Sequence, residues 1–578
     1  MNITINKKNV EVEDNLTILD VARANNIHIP VLCHLNLHSA DMVNDGARCR
    51  ICMVEVEGRQ SLVPACNTKL TDGMVIKTNS ARAIKARRTN MELTLSDHPK
   101  DCLVCPRNNS CELQRIASEM GIDNIKFSGA SAKRPTDESN SSIARDLNKC
   151  VLCGRCETMC NEVQTVGVYS KIKRGFDTVM TTAYNDPLVD TPCTFCGQCV
   201  SVCPTAALSE VNVISNVWDV LNDPSKMVIV QTAPAIRAAL GEMFGMDVGT
   251  NVTGKMVAAL RELGFDKIYD TNFAADLTVM EETKEFVDRL KNNGPLPILT
   301  SCCPAWVNFI EYHYPELLDI PSTCKSPQEM FGAVAKEYLP TKLGVAAKDI
   351  VVVAVMPCLA KKHEASREEL SNNDMANVDY VISTRELGKM IKEAGIDFTS
   401  LADESFDNLM GESTGASVIF GTSGGVIEAD IRTAAFIQNN QTVGKIDFEE
   451  LRGCDGIREA TITLGSKELN IAIAHGLGNA RSLLDKVKNG ESKYHAIEIM
   501  ACPRGCVGGG GQPYYLNITD NTLNRRAACL RNDDKTSPKR ISAENGEIAA
   551  LYSELLGEIG GEKAHELLHT KYFKNKKS

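Results

Sequence analysis

The chain has 578 residues, 43% of them hydrophobic, with a formal net charge of −11 and an isoelectric point near 5.6. That length holds several domains of roughly 100–200 residues. The acidic balance argues against nucleic acid or an anionic membrane as a main partner. The N-terminal MNITINKKNVEVEDN has no apolar signal-peptide core, and the apolar run IVVVAVMPCLA at 350–360 is too short to span a bilayer. A cytoplasmic protein is therefore expected, and there 23 cysteines do not serve as disulfides, because the cytosol keeps thiols reduced. Zinc or iron–sulfur ligation is the better reading.

In chain order, MNITINKKNVEVE and GMVIKT alternate like strands around a helix-like TILDVARANN. Loop residues Cys33, Cys49, Cys52 and Cys66 include a C-x-x-C core, so a small ferredoxin domain holding a 2Fe–2S cluster fits. The 15 residues between Cys33 and Cys49 depart from the plant-type spacing and keep zinc open. Next, HPKDCLVCPRNNSC offers His98, Cys102, Cys105 and Cys111. Alone, this set suits zinc; its place between two candidate iron–sulfur domains favours a 4Fe–4S cluster.

CVLCGRCETMC (Cys150, Cys153, Cys156, Cys160) and CTFCGQCVSVCP (Cys193, Cys196, Cys199, Cys203) repeat C-x-x-C-x-x-C-x-x-x-C. In two-cluster ferredoxins the fourth cysteine of each run serves the other cluster. Cys203 is thus expected with Cys150, Cys153 and Cys156, and Cys160 with Cys193, Cys196 and Cys199. Such a series reads as an electron wire.

From about residue 210 the pattern becomes α/β. KMVIVQTAP reads as a buried strand leading into a helical AIRAALGEMFG. PLPILTSCCPAW, DIVVVAVMPCLAKK, VDYVIST and HAIEIMACPRGC read as apolar strands of largely parallel sheets. Sites in such folds form beyond the carboxyl ends of strands, and Cys302, Cys303, Cys358, Cys502 and Cys506 follow three of these runs. Neighbouring side chains on an extended chain point opposite ways, so Cys302 and Cys303 do not share one role. VGGGGQP at 507–513 suggests close backbone approach to a bulky cofactor. IAIAHGLGNAR reads as a plain strand–turn–helix, so no nicotinamide or flavin site is evident. On the helical EETKEFVDRL, Glu282, Glu285 and Arg289 share one face; periodicity alone makes it a solvated face with a pair worth roughly a few tenths of a kcal/mol.

On TSCCPAW (300–306), MPCLAKKHE (356–364) and EIMACPRGCVGGGGQP (498–513), the chain resembles the FeFe-hydrogenases, particularly the monomeric clostridial type with four accessory clusters. The resemblance spans nearly the whole chain. It implies a multidomain α+β and α/β fold: a β-grasp 2Fe–2S domain over 1–80, a His/Cys3 4Fe–4S domain over 81–125, a two-cluster ferredoxin domain over 126–209, and a catalytic domain over 210–578. Its segment after about 525 would be small-subunit-like, an amphipathic helix and tail wrapping the catalytic domain. It implies one 2Fe–2S cluster, three accessory 4Fe–4S clusters and an H-cluster. The last is a cubane bridged to a diiron unit with CO, cyanide and azadithiolate ligands.

By motif match Cys303, Cys358, Cys502 and Cys506 would hold the cubane, with Cys506 bridging to the diiron unit, while Cys302 would bind no metal and would move protons. The implied relay runs from Cys302 through a water to Glu282, Ser322, Glu285 and Arg289. Lys361 would hydrogen-bond a cyanide ligand. Pro234, Ala235, Gln328, Met356, Phe420 and Met500 would line the diiron pocket. Ala305, Leu359, Arg504, Gly508 and Thr422-Ser423 depart from the commonest family pattern without removing a ligand or relay group. Cys324, Cys454 and Cys529 remain as buried structural thiols.

The implied function is reversible reduction of protons to dihydrogen by a monomer, with ferredoxin or flavodoxin as electron partner and maturation proteins supplying the diiron unit. An electron-transfer subunit of a larger oxidoreductase is one alternative. A hydrogenase-like assembly protein without the diiron unit is another.

Overall fold

In the computed structural model of the chain, β1 (Asn2–Ile5) buries Ile3 and Ile5 and turns Asn2 and Thr4 outward. This is the two-residue alternation of a one-sided strand. Asn6 and Lys7 both take positive φ, 51° and 71°, the geometry of a tight hairpin turn, and return the chain as β2 (Lys8–Glu11). The structure describes all residues except 38–41, 45, 439–446, 454, 466, 515–519 and 576–578. Thr17 and Asp20 form a capping box that starts α1 (Ile18–Ala24). With β3 (Met53–Val56), β4 (Val63–Pro64) and β5 (Val75–Lys77), the first two strands form a sheet ordered β2-β1-β5-β3-β4.

Ser80 caps α2 (Ala81–Ser96). Arg88 ties this helix to the end of α3 (Glu112–Glu119) through the carbonyls of Met120 and Gly121. The cysteine repeat folds as a repeat: α4 (Arg155–Thr158) and α5 (Gln198–Val202) each start after a glycine in the left-handed region, Gly154 at φ 79° and Gly197 at φ 75°.

Two four-stranded sheets organise the rest. The first contains β6 (Met227–Thr232), β7 (Lys267–Asp270), β8 (Ile350–Met356) and β9 (Tyr380–Ser383), all parallel in the order β7-β6-β8-β9. All of β8, IVVVAVM, is buried, as a parallel strand covered on both faces requires. The second sheet contains β10 (Ile298–Leu299), β11 (Ile457–Leu464), β12 (Lys467–His475) and β13 (Ala496–Met500), in the order β10-β13-β12-β11. Only its β11–β12 pair is antiparallel. The long helix α6 (Thr271–Asn292) packs against α7 (Pro327–Leu343) and α8 (Gly425–Gln438).

One sequence expectation fails here and another is refined. AIRAALGEMFG is not an α-helix: after β6 the chain makes tight turns and only a 3-10 segment, Leu240–Phe244. Residues 235–241 are buried throughout, so their burial follows from enclosure and not from one apolar helix face. The C-terminal segment is helical as expected, but in three pieces and not one. It runs as α9 (Asp520–Thr536), a helix over Gly546–Leu551 that continues to Leu556, and α10 (Glu562–Leu568), the last break falling where Gly557 and Gly560 take φ of 78° and 71°. It does wrap the catalytic domain, through Arg526–Glu242, Asp534–Arg432 and Asn545–Asp276 contacts. Among the described residues, no helix is long and apolar enough to cross a membrane.

Candidate active site

Both sheets send their carboxyl ends to one cavity. Cys303 follows β10 and caps the helix Pro304–His313, whose first residue is a proline. Cys358 follows β8, and Cys502 and Cys506 follow β13. These four thiols and Cys302 line the cavity with Pro234, Gln328, Met356, Lys361, Phe420 and Met500. Ala235 does not line it. Its carbonyl accepts from Gln512 Nε2 at 3.0 Å, and its methyl packs in a cluster with Val418, Val507 and Leu530.

The donor set is unusual for free thiols. Burial, then the neighbouring sulfurs, push Cys358 and Cys502 upward; burial and Cys303 push Cys506 to about 12. Four thiols that resist ionisation in one apolar chamber become thiolates when a cation neutralises them. Gln328 Oε1 is buried with no protein partner, a polar atom available to a guest. Lys361 Nζ bonds Glu364 at 2.7 Å and the Cys302 carbonyl at 3.2 Å. Burial opposes its charge, yet Glu364 holds its pKa above the ordinary lysine value. Glu364 also accepts from Ser326 and Gln328. Sequence reasoning passed over it, although it closes the MPCLAKKHE motif.

Gly509 lines the chamber, and the glycine run also packs closely against protein. A Cβ on Gly510 would stand 2.6 Å from the Cys196 carbonyl oxygen and 2.8 Å from Gly197 Cα. A Cβ on Gly509 would strike the Pro357 carbonyl. These glycines press the backbone of the third motif against the second motif and against the cysteine loop of the two-cluster region. Gln198 Nε2 to the Gly508 carbonyl (2.9 Å), Gln164 Nε2 to the Ala501 carbonyl (3.0 Å) and Ser142 Oγ to the Leu359 carbonyl (2.8 Å) close the same seam.

Along the front, the thiols gather in sets. Cys33 meets Cys49 and Cys66, and Cys66 also meets Cys52, at hydrogen-bond range. Cys150, Cys153, Cys156 and Cys203 line one small cavity. Cys160, Cys193, Cys196 and Cys199 feel one another's charge around Tyr169 and Phe195. Cys105 lies near Cys111, while Cys102 is exposed and His98 half-buried beyond α2.

On the other flank, Ser322 Oγ donates to Glu285 Oε2 (2.9 Å), as does the Thr323 amide (3.0 Å). Arg289 bonds Glu285 Oε1 at 2.5 Å and the Ile320 carbonyl at 2.7 Å. The face expected to be solvated is thus a hydrogen-bonded junction, with Glu282 buried and Glu285 and Arg289 half-buried. Both Glu282 oxygens are buried without a protein partner. Burial, then the Glu285 charge, hold its pKa well above the carboxylate range. Burial and Glu282 do the same to the Cys302 thiol. Two further acids were missed. Asp430 on α8 is pushed up by burial, Glu282 and Glu498. Glu498 is fully buried in β13 and accepts from the Ile427 amide at 3.0 Å. Its signal was available as a charge inside the apolar run IEIM. Cys324 is buried, Cys529 is half-buried against expectation because it lies on a partly open face of α9, and Cys454 lies outside the described residues.

Comparison with known proteins decides the family. The iron only hydrogenase large subunit, C-terminal domain, matches residues 226–510, and the iron hydrogenase small subunit matches 520–575. A 2Fe–2S binding domain matches 1–81, the iron–sulfur binding region of NADH-ubiquinone oxidoreductase-G matches 87–126, and a 4Fe–4S dicluster domain matches 149–207. The chain is 53% identical to the NADP-reducing hydrogenase subunit HndD of Solidesulfovibrio fructosivorans, over all of this chain and 99% of that one. The chain belongs to the iron-only hydrogenase family. It is also 41% identical to iron hydrogenase 1 of Clostridium pasteurianum, over 99% of this chain and 100% of that one. A structure of [FeFe]-hydrogenase HydA1 from Chlamydomonas reinhardtii aligns with a TM-score of 0.57 at 41% identity, covering 63% of this chain and 99% of that one. The five-thiol chamber, its buried lysine and the unpartnered Gln328 oxygen suit the family's H-cluster: sulfur donors for iron, and hydrogen-bonding groups for polar ligands.

Proposed function

We propose that the chain catalyses reversible interconversion of protons and dihydrogen at an H-cluster held by Cys303, Cys358, Cys502 and Cys506. The observation that carries this reading is the single chamber, shared by four ligand-type thiols and Cys302, with the buried Glu282 and half-buried Glu285 nearby and the Cys196 loop pressed against its third motif. When bound, the cluster supplies the redox-active iron at which protons and electrons combine. The chain's own residues supply access. Cys302 and Glu282 are proposed to exchange protons through a water, since each is a buried acid held in its neutral form near neutral pH. Ser322, Glu285 and Arg289 continue the file outward, Ser322 by passing a proton through its hydroxyl to Glu285. Lys361, charged and anchored by Glu364, is proposed to orient a cyanide ligand. Pro234, Gln328, Met356, Phe420 and Met500 exclude bulk water from the chamber.

Electrons are proposed to travel through a 2Fe–2S cluster on Cys33, Cys49, Cys52 and Cys66, a 4Fe–4S cluster on His98, Cys102, Cys105 and Cys111, and two 4Fe–4S clusters on the interleaved repeat. In the first reading the donor is ferredoxin or flavodoxin, and the protein is a cytoplasmic monomer. The match to a subunit of an NADP-reducing hydrogenase favours a second reading. There the electron partner is another subunit, which would bring the nicotinamide site. Leu103 and Val104, 90% and 82% exposed beside exposed Cys102, offer either partner an apolar contact next to a cluster.

The test is expression with and without the maturation proteins. Infrared CO and cyanide bands with hydrogen evolution from a reduced dye are expected only in the matured protein. Their absence after maturation would favour the assembly-protein alternative. Hydrogen evolution from reduced ferredoxin by the isolated chain supports the first reading; activity with NADPH only after adding a partner subunit supports the second.

A further inference from the structure

Beside the acid–base file, three residues from distant parts of the chain bring together a carboxylate oxygen, a thiol sulfur and a ring nitrogen. These are Glu285 on α6, Cys324 in the segment before α7, and His569 just beyond α10; their donor atoms all lie within 4.8 Å of one another. The cluster is built, not incidental. Cys324 and His569 pair as an isolated backbone bridge. The Thr323 hydroxyl lies 2.8 Å from His569 Nδ1 and 3.3 Å from Glu285 Oε2. On the far side of the ring, His569 Nε2 is 3.1 Å from Glu281 Oε2. Glu281 is itself fixed by the Tyr552 hydroxyl and the Gly560 amide.

That second carboxylate decides the ring's chemistry. A hydrogen on Nε2 pointing at Glu281 leaves the lone pair on Nδ1, the nitrogen beside the Thr323 hydroxyl that also bonds Glu285. A carboxylate behind a histidine in this way fixes the tautomer and raises the basicity of the other nitrogen, as in metal sites. A carboxylate, an imidazole and a thiol together suit a borderline cation such as zinc, and the sulfur disfavours magnesium and calcium. Zinc bonds of about 2.0–2.3 Å put donor atoms roughly 3.5 Å apart, so the three side chains need close by little more than an ångström. Three protein donors leave a fourth position for water.

We propose that Glu285, Cys324 and His569 form a binding site for a single zinc-like divalent cation, and that an ion there closes the proton file at Glu285. On binding, the Cys324 thiol gives its proton to solvent and a sulfur–metal bond forms; no electron moves. A carboxylate oxygen of Glu285 bound to the ion is too weak a base to take up the proton that Ser322 would pass on. The inhibition rests on the proton file proposed above; the binding does not.

The experiment uses the matured holoenzyme with one equivalent of zinc chloride. Zinc K-edge X-ray absorption should find one sulfur at about 2.3 Å with lighter N/O neighbours, and that sulfur should vanish in Cys324→Ala. Hydrogen evolution should fall about tenfold or more in the parent, while Cys324→Ala stays within about twofold of its own zinc-free rate. If Cys324→Ala does not fold, His569→Gln serves, with zinc affinity lowered at least tenfold. No sulfur in the shell, several sulfurs, or a shell unchanged in either variant overturns the site. A one-sulfur shell without inhibition upholds the site and overturns the gating, and with it the place of Glu285 in the file.

Discussion

The cysteine loops of the two-cluster region and the proposed acid–base file near Cys302 are built from different materials. Residues 150–160 supply four thiols from one short stretch, positioned by Gly154 and a short helix that runs on through Cys160 to Val163. The file from Cys302 to Arg289 is assembled from the end of β10, the face of α6 and the segment holding Ser322, and is braced by Tyr572 of the C-terminal tail, whose hydroxyl donates to the Ser322 carbonyl at 2.6 Å. An electron tunnels between fixed centres, so rigid local loops suffice. A proton moves only between groups within hydrogen-bond reach, so its path depends on side chains brought close by packing.

The largest effect that would break this division is at Cys302. Cys302→Ala should lower hydrogen evolution by about 100-fold or more while iron content stays near the parent's. Iron loss with the activity would mean that Cys302 belongs to the metal side. Glu282→Gln should cost a similar order in turnover and leave the infrared bands in place; unchanged turnover would remove Glu282 from the file.

A smaller effect is expected where the two regions meet. Gly510→Val drives side-chain atoms into the Cys196 carbonyl and Gly197, an overpacking worth about 1–3 kcal/mol. Reduction of the catalytic centre through the front clusters should slow, while reduction by a small dye that reaches the chamber directly should change less. Equal slowing by both routes would show that the seam is not the electron junction.

A last effect, outside catalysis, is expected on stability against pH. Burial raises the Glu282 pKa in the folded chain, whereas in the unfolded chain it titrates near 4.3. Above that value the unfolded state has released a proton that the folded state still holds. Stability therefore falls as pH rises, until the folded group also ionises, by at most about 1.4 kcal/mol per pH unit. Glu282→Gln should flatten the melting-temperature decline between pH 5 and 8, and an unchanged slope would place the retained proton on Asp430 or Glu498.

Much of the electron side was legible because its information is local. The interleaved repeat, the C-x-x-C loops and the strand-then-cysteine runs can be read without knowing what lies opposite them. Much of the proton side was not. The periodicity of EETKEFVDRL is that of any exposed charged helix, and only burial beneath Ser322, Thr323 and the His569 tail turns Glu285 into a junction. Likewise, the glycines of VGGGGQP announced close approach without naming Gly197 as the partner.

Read alone, the sequence carried the cysteine repeat, the α/β alternation and the family, because motif spacing and strand–helix periodicity are properties of neighbouring residues. Tertiary structure alone decided which carboxylates are buried, which histidine faces which acid, and where the two-cluster loop touches the catalytic motifs. Those depend on desolvation and contact between segments hundreds of residues apart, and neither quantity exists until the chain has folded.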